Sequence, residues 1–306
     1  MESGYHMDFS CHDISDKLCC QDIYTVRLSF FDKFGALNSA PVFAAFASGL
    51  DRHGISRCHH DFSADVAVIW SLVWAGRMRQ NQAVWRHYRD SNRPVVVLEV
   101  GMLHRGVTWK IGVNGTGLSS RFCTDIDPHR NKKLDIKLFP WRAPGSDIVI
   151  FCQRQDSQQW SGQPCMPTWI NETVACLRQV SDRPILVRPH PRQPAYHAAG
   201  TAMTRPTRIK GTYDGYNLDH ALTDAWCVIN WNSGPACQAI LQGVPAFTGP
   251  DSLAAPVASQ DLTQIESPKR LDREQWLQDL CHTEWTLAEI ESGVMLDQLL
   301  TRIKSL

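Results

Sequence analysis

The sequence predicts an α/β protein made of two Rossmann-like domains that face a cleft, followed by a C-terminal helical tail. Apolar residues make up 43% of the 306 positions, which is enough for sizeable cores. Short β-branched runs alternate with stretches of helical periodicity, a pattern typical of parallel sheets. A Gly- and Pro-rich region at 101–145 separates two such series, and a typical domain size of roughly 150 residues also favours two domains.

The first series lies before residue 101. We expect strands at Ile23–Phe31, Asp65–Trp70 and Pro94–Val100, and helices at Pro41–Arg52 and Asn81–Asp90. The last of these strands is the clearest, because it is a continuous β-branched run that begins at a proline. The region 101–145 is then predicted to form long loops with one short strand, Thr108–Val113.

The second series begins after residue 146. The expected strands are Asp147–Cys152, Arg183–Arg188, Trp226–Asn230 and Pro245–Thr248, and the expected helices are Pro167–Val180, Leu218–Asp224 and Gly234–Gln242. Residues 272–304 are predicted to form two or three amphipathic helices, interrupted near 282–286 and 292–293. We therefore divide the chain into residues 1–145 and residues 146–306. Ligands of such folds bind at the carboxyl ends of the strands, often between the two halves.

The charged residues are balanced in number but unevenly distributed. With 31 basic and 31 acidic residues the formal net charge is zero, which argues against a globally basic nucleic-acid-binding protein. Residues 77–142 carry 13 basic and 5 acidic side chains, and residues 183–210 carry 6 basic side chains and no acidic ones. These two segments predict anionic ligands at defined places.

The cysteines and the apolar runs bear on the cellular compartment. The 11 cysteines show no regular spacing, residues 1–20 have no apolar core of a signal peptide, and no run of about 18 apolar residues occurs. We expect a cytoplasmic protein with reduced thiols and no membrane span.

The sharpest candidate site is the run Arg188-Pro189-His190-Pro191-Arg192. It directly follows a predicted buried strand, so it lies at the carboxyl edge of the sheet. The prolines restrict the backbone around His190, and two guanidinium groups beside an imidazole suit a phosphate. A rigid loop with a solvated histidine is the alternative.

A second candidate is the turn that contains Asn232, Ser233 and Gly234, between a predicted strand and a predicted helix. Ser233 is expected to be the N-cap, and Gly234 allows a close approach to a ligand phosphate at the helix start. Ordinary capping is the alternative. Glu266, further along the chain, is a candidate for binding ribose hydroxyls, and a plain surface carboxylate is the equal alternative.

The first half offers a general base and acceptor-binding groups. Glu99 ends a strong strand, which places its carboxylate at the cleft edge, where a general base acts. Asp32, which follows the first strand, is the rival. The candidate acceptor-binding residues in the loops beyond are Arg105, Trp109, Lys110 and Asn114. Trp109 is suited to stacking on an acceptor ring, although core packing is the ordinary role of a tryptophan.

Several common chemistries have no matching motif. Cys58, His59, His60 and Asp61 are adjacent, and adjacent side chains rarely converge on one metal ion, so no metal site is predicted. The sequence contains no Walker A motif, no G-x-G-x-x-G and no G-x-S-x-G. A P-loop enzyme, a simple dehydrogenase and an α/β-hydrolase are therefore disfavoured.

The second half resembles GT-B glycosyltransferases, in particular their capsule-polysaccharide and Kdo-transferase-like branch. The resemblance covers roughly 147–260 and consists of the His-Pro loop, the Asn-Ser-Gly turn and the later Gly-x-Pro. In that family a His-Pro motif and a downstream Ser-rich turn hold the donor nucleotide. The matching residues here are His190, Pro191, Asn232, Ser233 and Gly234. The turn reads Asn-Ser-Gly where the family has a doubled Ser or Thr.

In the first half, the run from Glu99 to Lys110 looks similar to uncharacterised tailed-phage proteins. Some phage enzymes of this architecture glycosylate hydroxymethylated pyrimidines in DNA. The resemblances together imply a metal-independent glycosyltransferase, with a nucleotide-sugar as co-substrate and no further cofactor. The first choice of acceptor is modified double-stranded DNA, in the host cytoplasm for a phage protein, and a surface or capsular glycan is the alternative. A sugar-nucleotide epimerase and a non-enzymatic nucleic-acid-binding protein are the other two hypotheses.

Overall fold

The computed structural model describes residues 26–196, 198–212 and 215–306, which form a mixed α/β structure with two main sheets. The strands are β1 (Leu28–Phe30), β2 (Arg57–His59), β3 (Val66–Trp70), β4 (Val95–Val100), β5 (Thr108–Val113), β6 (Asp147–Phe151), β7 (Ile185–Arg188), β8 (Ala202–Met203), β9 (Thr207–Arg208), β10 (Tyr216–Asn217), β11 (Ala225–Asn230), β12 (Ala246–Thr248) and β13 (Glu284–Thr286). The helices are α1 (Ala40–Arg52), α2 (Asn81–Asp90), α3 (Arg130–Lys133), α4 (Met166–Arg178), α5 (Asp219–Leu222), α6 (Pro235–Leu241), α7 (Glu274–Cys281), α8 (Leu287–Ser292) and α9 (Leu296–Lys304).

The first sheet has the strand order β13-β5-β4-β3-β1-β2, in which β4, β3, β1 and β2 are parallel, and β5 is antiparallel to both of its neighbours, β4 and β13. Its central strands are apolar on both faces because helices cover both. Val96 and Leu98 of β4 belong to the core beneath α1, α8 and α9, whereas Val95 and Val97 pack on the side of α2. This burial on both faces explains the continuous β-branched run in the sequence.

The second sheet has the order β12-β11-β6-β7-β8 and is parallel throughout. Its strand β6 lies between β11 and β7. The chain therefore adds β7 and β8 on one side of β6, and β11 and β12 on the other side. A crevice at the carboxyl ends of such strands is the usual ligand site of an open α/β sheet. A small antiparallel pair, β9 and β10, completes the strands of the described residues.

The C-terminal segment returns to the first sheet. Strand β13 pairs with β5, and α8 packs against α1. Arg130 holds this return: its guanidinium donates to the carbonyls of Cys281 (2.8 Å) and Glu284 (2.7 Å) and lies 4.1 Å from the centroid of the Trp285 ring. The tail was expected as helices only, but residues 284–286 form a strand, because the edge of β5 offers them a backbone partner. The division into 1–145 and 146–306 stays a prediction.

Hydrogen bonds join the two halves around their facing edges. They run from the N–H of Trp74 to the carbonyl of Asp156 (2.7 Å), from the N–H of Gln158 to the carbonyl of Leu72 (2.8 Å), from the N–H of Ser119 to Oδ1 of Asp251 (2.8 Å), and from Nε2 of Gln238 to the carbonyl of Met102 (3.0 Å). These bonds hold the carboxyl ends of the two sets of strands against each other.

Most predicted elements agree with the structure to within a few residues. The largest difference in length is at the first strand, expected at Ile23–Phe31: residues 23–25 lie outside the described residues, and β1 begins at Leu28. The turn before α6 also differs from expectation. Gly234, not Ser233, is the N-cap of this helix, and no side chain caps it.

Candidate active site

A cavity of about 350 Å³ lies between the two halves, at the carboxyl ends of their strands. Its wall is formed by the segments that follow β1, β3 and β4 in the first sheet and β6, β7 and β11 in the second. The sequence-predicted residues that line it are Glu99, Arg105, Lys110, Arg188, His190, Arg192, Asn232, Ser233 and Gly234. The structure therefore brings candidates from both halves to one place.

Arg188 is the last residue of β7 and is only 5% exposed. Its guanidinium donates to the carbonyl of Asn217 and lies 5.9 Å from the centroid of the Phe151 ring. Burial lowers the pKa of Arg188, and no carboxylate among the described residues acts on that pKa to offset it. An arginine stays charged under such conditions, so the cavity contains a buried positive charge that suits an anionic ligand.

His190 and Arg192 lie in the loop after β7, as predicted from the sequence. The backbone N–H of Arg192 donates to Nδ1 of His190 over 3.1 Å. Because a backbone N–H can only donate, Nδ1 is the acceptor, and a neutral His190 carries its proton on Nε2. Pro189 and Pro191 line the cavity on either side of the imidazole. The loop thus places the imidazole of His190 and the guanidinium of Arg188 at the wall of the same cavity.

The turn after β11 is held by its own side chains. Oδ1 of Asn230 accepts from the N–H of Ser233 (2.8 Å), and Nδ2 of Asn230 donates to Oγ of Ser233 (2.5 Å). The hydroxyl of Ser233 is therefore used within the turn, which corrects the prediction that it caps α6. Gly234 was expected to allow the close approach of a ligand phosphate. In the structure, the neighbour is a protein side chain, because a Cβ on Gly234 would lie 3.1 Å from Sδ of Met102.

Glu99 lies near the end of β4 and lines the opposite wall of the cavity. Its Oε1 accepts a hydrogen bond from Oγ of Ser71 (3.1 Å), and in the strand register it faces Lys110 of β5. Burial raises the pKa of Glu99, while Lys110, the Ser71 hydroxyl, Arg105 and Arg154 act in the opposite direction. A carboxylate with a raised pKa at a cleft edge is suited to accepting a proton.

The charge of the cavity wall is strongly asymmetric. Among the described residues that line it, Glu99 is the single carboxylate, and the cations are Arg105, Lys110, Arg154, Arg188 and Arg192. Arg154 was not predicted, although it follows the strand β6 as the His-Pro loop follows β7. Nε of Arg154 donates to Oδ1 of Asp156 (2.7 Å), which lowers the pKa of that carboxyl group. The excess of cations over carboxylates among the described lining residues favours an anionic substrate.

Two predicted residues of the first half have structural surroundings away from the cavity wall. Trp109 is 6% exposed and packs in the core, with its ring centroid 5.9 Å from that of Trp70. Asn114 lies at the far end of the sheet from Glu99, where its Oδ1 accepts from the N–H of Val95 (2.8 Å). The structure thus does not bring these two side chains to the other candidates.

Asp32 and Glu266 also lie outside the cavity wall. Oδ1 of Asp32 lies 3.0 Å from Nε2 of His60, and its Oδ2 lies 3.3 Å from Nδ1 of His59. Glu266 pairs with Nε of Arg183 over 2.9 Å. Both carboxylates therefore have protein partners of their own, and Glu99 is the base candidate that faces the cavity.

Two kinds of feature are absent from the described residues. No group of three or more His, Cys, Asp or Glu side chains converges as metal ligands would. Within the same residues, no helix combines the length and the apolar character needed to cross a membrane.

Comparison with known proteins gives no match to any family model and no match to any curated protein sequence. Solved structures do match. KpsC of Thermosulfurimonas dismutans, a beta Kdo 2,4 transferase, superposes with a TM-score of 0.50 at 11% identity, over 91% of this chain and 98% of that chain. The beta Kdo 2,7 transferase of the same KpsC gives a TM-score of 0.49 at 12% identity, over 89% of this chain and 99% of that chain.

The first of these likenesses is a likeness of fold, because the sequence identity is only 11%. It extends over nearly the whole length of both chains. It gives no support to the resemblance with phage DNA-modifying enzymes. The chain shares the fold of a protein that is a glycosyltransferase.

Proposed function

We propose that this protein is a GT-B glycosyltransferase that moves a sugar from a nucleotide-sugar to a hydroxyl group of a surface or capsular glycan. The observation that carries the proposal is the cavity between the sheets, with buried Arg188 on one wall and Glu99 on the other. In this proposal residues 146–306 bind the donor and residues 1–145 bind the acceptor.

On the donor side, the phosphate of the nucleotide-sugar lies against Arg188, His190 and Arg192. Among the described residues, no carboxylate acts on the pKa of Arg188 to offset its burial, so a ligand phosphate supplies the balancing negative charge. The same groups stabilise the negative charge that develops on the leaving nucleotide as the glycosidic bond to phosphate breaks. We therefore expect transfer without a metal ion, and activity that persists in EDTA would support this expectation.

On the acceptor side, Glu99 is the general base. It takes the proton of the acceptor hydroxyl while the acceptor oxygen bonds to the anomeric carbon and the bond from that carbon to the phosphate oxygen breaks. The nucleotide leaves with the electron pair of the broken bond. The raised pKa of Glu99 makes it a stronger base than an exposed carboxylate, and Lys110 and Arg105 beside it suit an acceptor that carries an acidic group.

A glycan acceptor is favoured over DNA by the fate of the basic segment 77–142. Four of its cations are engaged within the protein: Arg93 over the Tyr88 ring, Arg121 with Asp279, Arg130 with Glu289, and Lys133 with Asp127. Such a segment does not present its whole charge to a phosphate backbone. The structural neighbour is a Kdo transferase, and Kdo is an acidic sugar. This favours an acidic sugar for the present protein as well, in the donor or in the acceptor.

The donor half of the proposal is tested by thermal-shift measurements with UDP-, GDP- and CMP-linked sugars. A donor at about 100 times its Kd stabilises the protein by about 2.7 kcal/mol, which is readily detected as a rise in Tm. We expect one nucleotide class to do this for the wild type and for Arg142→Met, whose guanidinium bonds to Leu222 and Gln242 outside the cavity. Arg188→Met should lose the shift while keeping its unliganded Tm. An equal shift in the Arg188 variant would contradict the donor assignment.

The acceptor half is tested by transfer assays with acidic oligosaccharides. Glu99→Gln should keep the donor-induced Tm shift and lose transfer by about 10²- to 10⁴-fold, the usual contribution of a general base. Glu291→Gln, at an exposed carboxylate paired with Arg52, is the matched control and should transfer normally. Transfer by Glu99→Gln at the wild-type rate would rule out this residue as the base. Transfer to hydroxymethylated DNA but to no glycan would overturn the acceptor class.

A further inference from the structure

The turn that follows β3 places a non-glycine residue in the left-handed backbone region. Ser71 has a φ of 60° and is 3% exposed. Of the other non-glycine residues with positive φ in the described chain, three are Asn or Asp and one is His, residue types that tolerate this region. Serine has no such tolerance, so the conformation of Ser71 must be imposed by its surroundings.

The surroundings of Ser71 fix it from three directions. Its own N–H donates to the carbonyl of Leu98 (2.8 Å) in the neighbouring strand β4. Nδ2 of the fully buried Asn81 donates to the carbonyl of Trp70 (2.6 Å), the residue before it. From the other half of the protein, the N–H of Gln158 donates to the carbonyl of the residue after it (2.8 Å). The turn is thus over-determined, as strained residues at functional sites usually are.

The result of this conformation is a hydrogen bond to the carboxylate that we place as the base. Oγ of Ser71 donates to Oε1 of Glu99 over 3.1 Å, at the wall of the cavity. Glycine would adopt the same φ without strain, but it has no hydroxyl. A side chain present where glycine is easier indicates that the hydroxyl itself is used.

We propose that Ser71 is a positioning residue, whose hydroxyl holds the Glu99 carboxylate in its ionised form and directs its free oxygen towards the acceptor. The inference rests on the proposed function for the role of Glu99, but the coupling between the two side chains does not. The other charged groups that act on Glu99 are Lys110 from β5, Arg105 from the loop after β4, and Arg154 from the second half. None of these groups needs to change when Ser71 is replaced.

The test uses two substitutions that remove the hydroxyl and differ in strain. Ser71→Ala keeps the unfavourable φ, and Ser71→Gly relieves it. Both should move the acid limb of the pH profile of kcat/KM to higher pH, because the ionised form of Glu99 loses a hydrogen bond. Below the limb both should show at least about a threefold loss of kcat/KM, the effect of one such bond, with a smaller loss on the plateau. Ser305→Ala, at the exposed C-terminal end, is the control and should leave the profile unchanged.

A second measurement needs no turnover. In protein labelled with ¹³C at the glutamate carboxyl groups, the Glu99 resonance is assigned by its absence in Glu99→Gln and followed with pH. A higher titration midpoint of Glu99 in both Ser71 variants supports the inference. It does so even if no sugar transfer is found, because the absence of transfer would contradict only the proposed function. An unchanged midpoint, or a loss of kcat/KM that is uniform in pH and is restored in Ser71→Gly, overturns it, because either result assigns Ser71 a purely structural role.

Discussion

Replacing Glu284 with glutamine tests whether one buried carboxylate holds the loop that forms part of the cavity wall. Glu284 lies on β13 and has no exposed surface. Its carboxylate accepts from the N–H groups of Met102 (2.6 Å) and Leu103 (3.1 Å) and from Oγ1 of Thr108 (2.6 Å). The C-terminal strand thereby fixes the loop after β4, and Met102 of that loop lines the cavity.

The expected cost follows from these three bonds. Glutamine keeps the size of the side chain but replaces one oxygen with an NH₂ group. The best placement turns this group towards Thr108, whose hydroxyl can accept, and leaves the N–H of Leu103 without an acceptor. The bond to Met102 also loses the assistance of the negative charge. One lost bond to a charged group and one weakened bond give a destabilisation of about 2–4 kcal/mol.

The assay is equilibrium unfolding in urea, followed by tryptophan fluorescence and by circular dichroism, so that separate transitions of the two halves would be seen. Glu291→Gln is the control, because this carboxylate is 51% exposed and pairs with Arg52 at the surface. Such a pair contributes only about 0–1 kcal/mol. If Glu284→Gln destabilised the protein by no more than this control, the carboxylate would not be holding the loop.

Three further predictions concern stability. Because burial raises the pKa of Glu99, the stability linked to its protonated form is lost as pH rises through that pKa. Glu99→Gln should therefore increase the free energy of unfolding at neutral pH by about 0.5–2 kcal/mol and raise Tm. A lower Tm would count against this prediction. Gly101→Ala should lower the free energy of unfolding in urea by about 1–3 kcal/mol. The reason is that its Cβ would lie 2.3 Å from the carbonyl oxygen of Thr108 and 2.4 Å from Oε2 of Glu284. An unchanged urea midpoint would contradict this prediction and show that the loop moves to accommodate the Cβ. Burial lowers the pKa of His282, so the stability due to its neutral form is lost as pH falls below 6.5, the ordinary pKa of histidine. Between about pH 7 and about pH 5, the urea midpoint of His282→Gln should therefore fall less than that of the wild type. An equal fall in the two proteins would contradict this prediction.

The strands and helices that could be predicted share a strong local signal. β4 and β6 are continuous apolar runs, since both faces of their sheets are covered, and α1 and α4 have clear helical periodicity. β13 was not predictable because it is only three residues long and contains a buried glutamate. Its conformation depends on the edge of β5, which lies some 170 positions earlier in the chain, and no local pattern reports such a partner.

The candidate site was predictable where it follows a strand. Glu99, Arg188 and His190 were placed correctly at strand ends, because the carboxyl ends of parallel strands meet at one edge. The same rule applied to the strand before Ser71 and to the strand before Arg154 would have found both residues. It was not enough for other candidates, since the sequence does not show whether a polar side chain already has a partner, as Asp32 and Glu266 have.

The distribution of local misfits in the first sheet supports the assignment of its carboxyl edge. A fold is well specified when each residue suits its local conformation, and departures from this consistency tend to mark functional positions. Ser71 has a backbone conformation that suits glycine, and Glu99 is a carboxylate in surroundings that raise its pKa. Neither feature stabilises the sheet, yet the two side chains are hydrogen-bonded to each other at the cavity wall. At the amino end of β4, by contrast, the positive φ of 57° falls on Asn114, a residue type that tolerates it and uses its side chain to close the turn. Ser71 and Glu99, the two locally unfavourable residues, thus lie at the edge of the first sheet that faces Arg188 of the second sheet. This position is expected if that edge serves binding and chemistry and not stability.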